Sequence, residues 1–113
     1  MVDLFAGLLV SDHGRARAWY VRFFGSPPSF SPHDTESVWE LNEHGFAYIL
    51  EDPERAGQSA ITLFADDLEA MVDGLAGRGI EPAKRETYSN GVRKVTYRDA
   101  DGNEIGLGGP PVE

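Results

Sequence analysis

Three histidines, His13, His33 and His44, are the side chains of this chain best suited to bind a transition metal. Their separations match none of the spacings HxH, HxxxH or HExxH, which bring two metal ligands onto one face of a strand or helix. His33 and His44 lie in polar segments that are typical of loops, and polar loop histidines are most often solvated. A relocated metal site built from His33, His44 and a nearby glutamate is an alternative that the spacing does not favour.

Other catalytic patterns are also missing. The sequence has no cysteine and no serine in a Gly-x-Ser-x-Gly elbow, which excludes disulfides, thiolate ligands and a cysteine nucleophile. Its paired carboxylates, Asp66-Asp67 and Asp99 with Asp101, lie where a helix begins or a turn forms, and bonding to the local backbone explains them. No catalytic residue is therefore assigned. Three glutamates remain as candidates for a general base, namely Glu40, Glu51 and Glu104.

Charge limits the partners of this protein. The formal net charge is −9 at pH 7, and acidic residues outnumber basic ones in both halves of the chain. Such a surface repels nucleic acids and anionic lipids but is compatible with a cationic small molecule. The apolar run Leu4–Val10 is too short to span a membrane and follows Asp3 instead of the basic residues of a signal peptide. We therefore expect a cytoplasmic protein with no nucleic-acid or membrane partner.

The sequence predicts one α+β domain made of two similar βαβββ modules. Module 1 covers about residues 1–56 and module 2 about residues 57–113, with the polar linker Asp52–Gln58 between them. In each module an apolar strand runs into an Asp-capped helix, and the pattern recurs after about 55 residues. The predicted elements of module 1 are Asp3–Val10, helix Arg15–Phe24, Ser29–Pro32, Glu36–Asn42 and Phe46–Glu51; those of module 2 are Ser59–Ala65, helix Leu68–Arg78, Ile80–Tyr88, Val92–Asp99 and Glu104–Gly108.

Three segments resemble the vicinal oxygen chelate superfamily, which contains glyoxalases, bleomycin-resistance proteins and extradiol dioxygenases. The resemblance spans nearly the whole chain and implies a curved mixed sheet around a cleft, often in a homodimer. The family's terminal turn usually reads Asp-Pro-Asp-Gly-Asn, and here Ala100 replaces the proline. The three segments are LFAGLLVSDHGRARAWYVRFFG, SAITLFADDLEAMVDGLAGRGI and GVRKVTYRDADGNEIGL.

The resemblance also implies where a metal would bind. Metal-dependent members have four ligand positions, which fall here on Phe5, Ala60, Gly106 and Leu50, or on Glu51 if the register shifts by one residue. Divalent ions need several nitrogen or oxygen donors, and one carboxylate does not make a site. We therefore expect no metal and no cofactor, and the family's glyoxalase, fosfomycin-transferase and dioxygenase activities are not predicted.

An aromatic cleft is predicted in place of the metal site. If Phe5 faces the cleft, the alternation of strand residues directs further apolar side chains to the same side. Such walls suit a flat or cationic ligand, and Gly106 would leave room for it. The predicted ligand-binding residues are Phe5, Phe46, Tyr48, Leu50, Phe64 and Gly106, with Trp39, Tyr88 and Arg93 as a lid or polar handles.

Three functions follow as hypotheses. The first is a metal-independent binding protein of the bleomycin-resistance type, which sequesters a planar or cationic natural product. The second is a metal-free isomerase, epimerase or lyase, whose base would be a carboxylate in the cleft, and alternation favours Glu104. The third is a module whose cleft is filled by its own side chains or by a dimer contact and binds nothing.

Overall fold

The structure, a computed structural model, describes residues 1–112 and confirms the predicted α+β class with two βαβββ modules. No helix in this range is long and apolar enough to cross a lipid bilayer. Module 1 contains β1 (Leu4–Val10), α1 (His13–Phe24), β2 (Phe30–His33), β3 (Glu36–Asn42) and β4 (Gly45–Glu51), and module 2 contains β5 (Ala60–Phe64), α2 (Leu68–Gly77), β6 (Lys84–Thr87), β7 (Arg93–Arg98) and β8 (Glu104–Gly109).

The modules form two four-stranded sheets with the same topology. Sheet A has the strand order β1-β4-β3-β2, and sheet B has the order β5-β8-β7-β6. In each sheet the first and last strands of the module pair in parallel, and the other neighbours are antiparallel. The long connection that a parallel pair needs is supplied by the helix and the two strands after it.

Both helices begin at the predicted aspartates. The Asp12 carboxylate accepts a hydrogen bond from the Arg15 backbone N–H at 3.0 Å, and Asp67 does the same for Ala70 at 3.0 Å. Because Asp12 is the N-cap, α1 begins at the next residue and not at Arg15 as predicted. At its other end Gly25 has φ +78°, the left-handed conformation that commonly ends a helix.

One predicted strand is much shorter than expected. The segment Ile80–Tyr88 was predicted to be extended throughout, but β6 covers only its second half. Pro82 has no N–H for a sheet hydrogen bond, and Ile80 packs into the core directly after α2.

The helices lie between the two sheets. On α1, Phe24 contacts Trp39 of β3 with a ring separation of 5.2 Å, while Phe23 contacts Tyr97 of β7 at 5.5 Å. In a single continuous sheet, strand β1 of sheet A would pair with strand β5 of sheet B. Strands β3 and β7 would then be five strand spacings apart, or about 24 Å. One helix touches both strands, so each sheet turns one face inward to the helices and the other outward.

A buried hydrogen-bonded junction joins the modules. Asp99 accepts hydrogen bonds from the Tyr20 hydroxyl of α1 at 2.7 Å and from the Asn103 side chain and backbone, both at 2.8 Å. The fully buried Asn103 amide also donates to the Leu9 carbonyl of β1 at 2.7 Å and accepts from the Ser59 N–H at 2.9 Å. These contacts fix module 1 against the β7–β8 turn of module 2.

Two arginines connect the helix ends reciprocally. Arg22 of α1 donates to the Arg78 carbonyl at 3.0 Å, and Arg78 donates to the carbonyls of Arg22 and Phe23, the latter at 3.0 Å. Guanidinium groups are well placed at helix C-termini, where carbonyl groups lack partners within the helix. The two modules thus use equivalent arginines, each at the end of its own helix, to bind the end of the other helix.

Tyr20 predicts a loss of stability in alkaline solution. Burial, the charge of Asp99 and the hydrogen bond to it raise the Tyr20 pKa far above its ordinary value of 10.0. Below about pH 10, Tyr20 keeps its proton in both the folded and the unfolded chain. Above it, the unfolded chain releases the proton and the folded chain does not, so stability falls by about 1.4 kcal/mol per pH unit for each such tyrosine.

Burial also raises the Tyr97 pKa, so two tyrosines contribute to this effect. Urea unfolding of the wild type and of Tyr20→Phe at pH 9, 10 and 11 measures the slope. We expect a shallower slope above about pH 10 for the variant, by one tyrosine's contribution. Equal slopes for the two proteins would contradict the assignment to Tyr20.

Candidate functional site

The outer faces of the two sheets carry most of the predicted binding residues. On β1 and β4, Leu8, Val10 and Ile49 point inward and are fully buried, so the residues between them point outward. We call the outward sides outer face A and outer face B, for sheets A and B. Outer face A includes Phe5, Gly7, Leu9, Phe30, Val38, Phe46, Tyr48 and Leu50, and outer face B includes Ala60, Thr62, Phe64, Lys94, Thr96, Glu104, Gly106 and Gly108.

Outer face A is aromatic and open. The rings of Phe5 and Phe46 are stacked, with centroids 4.4 Å apart and planes inclined by 9°, and Phe30 meets Phe46 edge-on at 6.5 Å. Phe5 and Phe30 are 47% and 45% exposed, so a large part of this apolar surface is in contact with solvent. The ring of Tyr48 lies across the bare backbone of Gly7. A methyl group added at Gly7 would be only 2.5 Å from the phenol oxygen of Tyr48.

Outer face B is lined by small and polar residues. Thr62 and Thr96 flank Gly106 on the neighbouring strands, and Gly108 follows on the same face. Phe64 is the exception: its ring covers Gly108 and is 64% exposed at the edge of the sheet. Outer face A therefore carries large side chains and outer face B mainly small ones, so that their shapes are complementary.

The structure places six predicted residues on these faces, but on opposite sides of the molecule. Phe5, Phe46, Tyr48 and Leu50 lie on outer face A, and Phe64 and Gly106 lie on outer face B. Because the helices separate the sheets, one chain does not bring the two groups together.

Two predicted ligand-binding residues, Trp39 and Arg93, lie on the inner sides of the sheets. Trp39 pairs with the inward-facing Ala47, is 2% exposed and donates from its indole to the Ser26 carbonyl at 2.9 Å, so it belongs to the core. Arg93 shares the inner side of β7 with Val95 and binds the Pro110 carbonyl at 2.9 Å and Glu69 of α2 at 2.5 Å. Arg93 thereby joins α2 to the C-terminal segment.

Two further aromatic residues, Tyr88 and Phe30, bear on the outer faces. Tyr88 is 44% exposed directly beyond the end of β6, and its N–H donates to the Val92 carbonyl at 2.8 Å, so alternation continues the side of Glu86 to it, the side of outer face B. Phe30 was not predicted as a site residue, although the pairing of its strand places it opposite Val38 on outer face A. The sequence signal was the weak strand Ser29–Pro32, whose register on β3 could not be fixed without knowing the turn.

The positions that hold metal in family members offer no suitable donor set. Phe5, Leu50, Ala60 and Gly106 carry hydrocarbon side chains or none, and Glu51 accepts the His13 backbone N–H at 2.9 Å. Within residues 1–112, no three His, Asp or Glu side chains are grouped closely enough to share an ion. A metal centre of the family type does not fit this chain.

The candidate histidines and bases are held in separate local contacts. His33 pairs with Glu36 at 3.0 Å, whereas His44 pairs with Asp3 at 2.9 Å. Glu104 does lie on outer face B as predicted, but its carboxylate is partly exposed and pairs with Arg98 at 3.1 Å. Glu40 is exposed. A base buried in an apolar site is not found among these glutamates.

A separate groove of about 700 Å³ opens between the inner sides of the sheets. It lies where β1 begins and β5 ends, and Leu4, Leu63, Met71 and Leu75 are among the apolar residues that line it. This groove is a second apolar surface, distinct from the outer faces.

Comparison with known proteins identifies the family. The sequence matches no protein-family model and no curated protein. In contrast, the solved glyoxalase/bleomycin resistance protein of Catenulispora Acidiphila DSM 44928 is 52% identical, with a TM-score of 0.94, and the match covers 98% of this chain and 100% of that one. The chain therefore belongs to the glyoxalase/bleomycin resistance protein family of the vicinal oxygen chelate superfamily.

More distant structures share the fold alone. A bleomycin-binding protein complexed with bleomycin is 17% identical with a TM-score of 0.79, covering 97% of this chain and 99% of that chain. Lactoylglutathione lyase of Agrobacterium tumefaciens is 21% identical with a TM-score of 0.75, covering 94% and 91%. The fold thus accommodates both binding proteins and enzymes.

Proposed function

We propose that this protein is a metal-independent binding protein that sequesters a planar natural product. The observation that carries the proposal is the open aromatic surface of outer face A, where Phe5 stacks on Phe46 at 4.4 Å and Phe5 and Phe30 remain about half exposed. Exposed aromatic rings of this kind bind flat molecules by stacking and by desolvation, and their faces also attract cations. The cysteine-free sequence is compatible with the cytoplasm, the location that we propose.

We further propose that two copies of the chain complete the cleft. Outer faces A and B point away from each other within one chain, so the bulky face A of one copy would lie against the shallow face B of the other. Both β1 and β5 are edge strands, and the exposed Leu4, Phe5 and Phe64 lie on them. Pairing these edges in a twofold dimer would cover this apolar surface and create two equivalent clefts.

The relatives support a binding role without fixing it. The bleomycin-binding protein of the same fold was solved in complex with bleomycin. In the present chain the family's metal positions are apolar, and the base candidates are exposed or ion-paired, which favours binding over catalysis.

Calorimetric titration tests the proposal with a panel of bleomycin, aminoacridine, anthracenecarboxylate and anthracenecarboxamide. Calorimetry suits the site better than tryptophan fluorescence, because Trp39 is buried in the core and Trp19 lies on α1. We expect saturable binding of at least one planar compound, one molecule per chain, unchanged by EDTA. Flat titrations with the whole panel would overturn the proposal.

Truncating the stacked ring should weaken this binding. We expect Phe5→Ala to lower the affinity about tenfold, since the variant removes one aromatic stacking surface. Met71→Ala is the control, because it removes an exposed apolar side chain of α2 that lies outside both outer faces. A ligand held in the inner groove would respond instead to Met71→Ala, and that result would relocate the site.

A further inference from the structure

Lys94 has an unusual position on outer face B. A methyl group on Gly106 would come within 2.6 Å of Lys94 Cε and 3.5 Å of its Nζ atom. The lysine side chain therefore lies across the bare backbone of Gly106, near the middle of the face.

Hydroxyl groups surround the same point. Thr62 Oγ1 is 3.3 Å from the position that the methyl group would take, and Thr96 is opposite Gly106 on β7. Within residues 1–112, the side chains of Thr62, Thr96 and Lys94 form no hydrogen bond with another part of the chain. They are donors available to a ligand.

The carboxylates on this face are already paired with other cations. Glu86, which faces Lys94 across the strands, binds Lys84 at 3.5 Å, and Glu104 binds Arg98 at 3.1 Å. In the described part of the chain, no acidic group lies within ion-pairing distance of the Lys94 amine. A protein with net charge −9 thus presents on this face, within residues 1–112, an ammonium group that forms no ion pair.

We propose that Lys94, together with the hydroxyls of Thr62 and Thr96, binds an ionised oxygen of the ligand. The ligand would then be a planar ring system that carries a carboxylate or phenolate, with its ring on outer face A of one copy of the chain and its charged oxygen at Gly106 on outer face B of the other copy. A charge-assisted hydrogen bond in a desolvated cleft is stronger than a neutral one and selects anionic ligands over neutral or cationic ones. This inference rests on the proposed function and narrows its ligand class.

Titration with three compounds that share one ring system tests the inference. These are anthracenecarboxylate, anthracenecarboxamide and the corresponding anthracenylmethylammonium, so that the ring is constant while the substituent is anionic, neutral or cationic. We expect wild-type protein to bind the carboxylate about tenfold more tightly than the carboxamide. Lys94→Met should abolish this preference and leave the affinity for the carboxamide unchanged.

Arg17→Met is the control, since it removes the same positive charge from an exposed position on α1, outside both outer faces. It should retain the preference for the carboxylate. Equal binding of carboxylate and carboxamide, tighter binding of the ammonium compound, or a preference that survives Lys94→Met would each overturn this inference while the proposed binding function stands. If none of the three compounds nor the wider panel binds, the proposed function itself fails and takes this inference with it.

Discussion

Replacing Asp99 with alanine is expected to lower the free energy of unfolding by about 3 kcal/mol. Asp99 accepts hydrogen bonds from the Tyr20 hydroxyl and from the side chain and backbone of Asn103, and all of these groups are buried. Its removal would leave the Tyr20 hydroxyl in the core without a partner, and unpaired buried donors are costly. Because these contacts join the two modules, the loss should also reduce the cooperativity of unfolding.

Urea unfolding of Asp99→Ala, Tyr20→Phe and the double variant measures this coupling. We expect the double variant to be less destabilised than the sum of the single variants, because Tyr20→Phe removes the stranded hydroxyl. Asp101→Ala is the control: it belongs to the same turn but binds Ser11 at the surface, and it should cost no more than about 1 kcal/mol. If the losses in unfolding free energy were fully additive, Asp99 and Tyr20 would act independently, and this would contradict the hydrogen bond between them.

Gly7→Ala should have the largest effect on ligand binding, a loss of about 30-fold. The added methyl group would lie 2.5 Å from the Tyr48 ring, so the ring must leave its place over Gly7. Tyr48 lies on the outer face and has room to turn outward, so folding is expected to survive. The displaced ring would occupy the space in which a ligand stacks.

Gly77→Ala is the matched glycine control. No atom of a neighbouring residue lies within 4 Å of the methyl group that it would add, and it lies near the end of α2. It should preserve binding and leave the thermal midpoint equal or higher, since alanine favours helices. Unchanged affinity in Gly7→Ala, measured by the same titration, would mean that the ligand does not contact Tyr48.

The sequence was most informative where a pattern repeats. The capping aspartates and strand alternation predicted both modules and placed Phe5, Phe46, Tyr48 and Phe64 on outward-facing sides. These properties are local, because alternation follows from the geometry of a single strand.

The sequence was less informative where the position of a residue depends on pairing between strands. Both sides of β3 are apolar, with Val38 on one and Trp39 on the other, so only the register with Ala47 shows which side is buried. Arg93 and Lys94 are adjacent charged residues of β7, and only the pairing of β7 with β8 shows that Lys94 is the one on the outer side. The placement of the helices between the sheets rests on distant contacts such as Phe23 with Tyr97, which no local pattern reports.

Mixing two variants with impaired binding provides the most direct test of the claim that two copies form each binding cleft. Gly7→Ala impairs outer face A, and Gly106→Leu would fill outer face B, so each homodimer should bind the panel compound at least about 30-fold more weakly than wild type. After unfolding and refolding together in equal amounts, half of the dimers carry one of each chain, and each of these has one intact cleft. We predict that the mixture, confirmed as dimeric by sedimentation, recovers about a quarter of the wild-type binding capacity at wild-type affinity. A refolded mixture with no site of wild-type affinity would contradict a cleft shared between two copies.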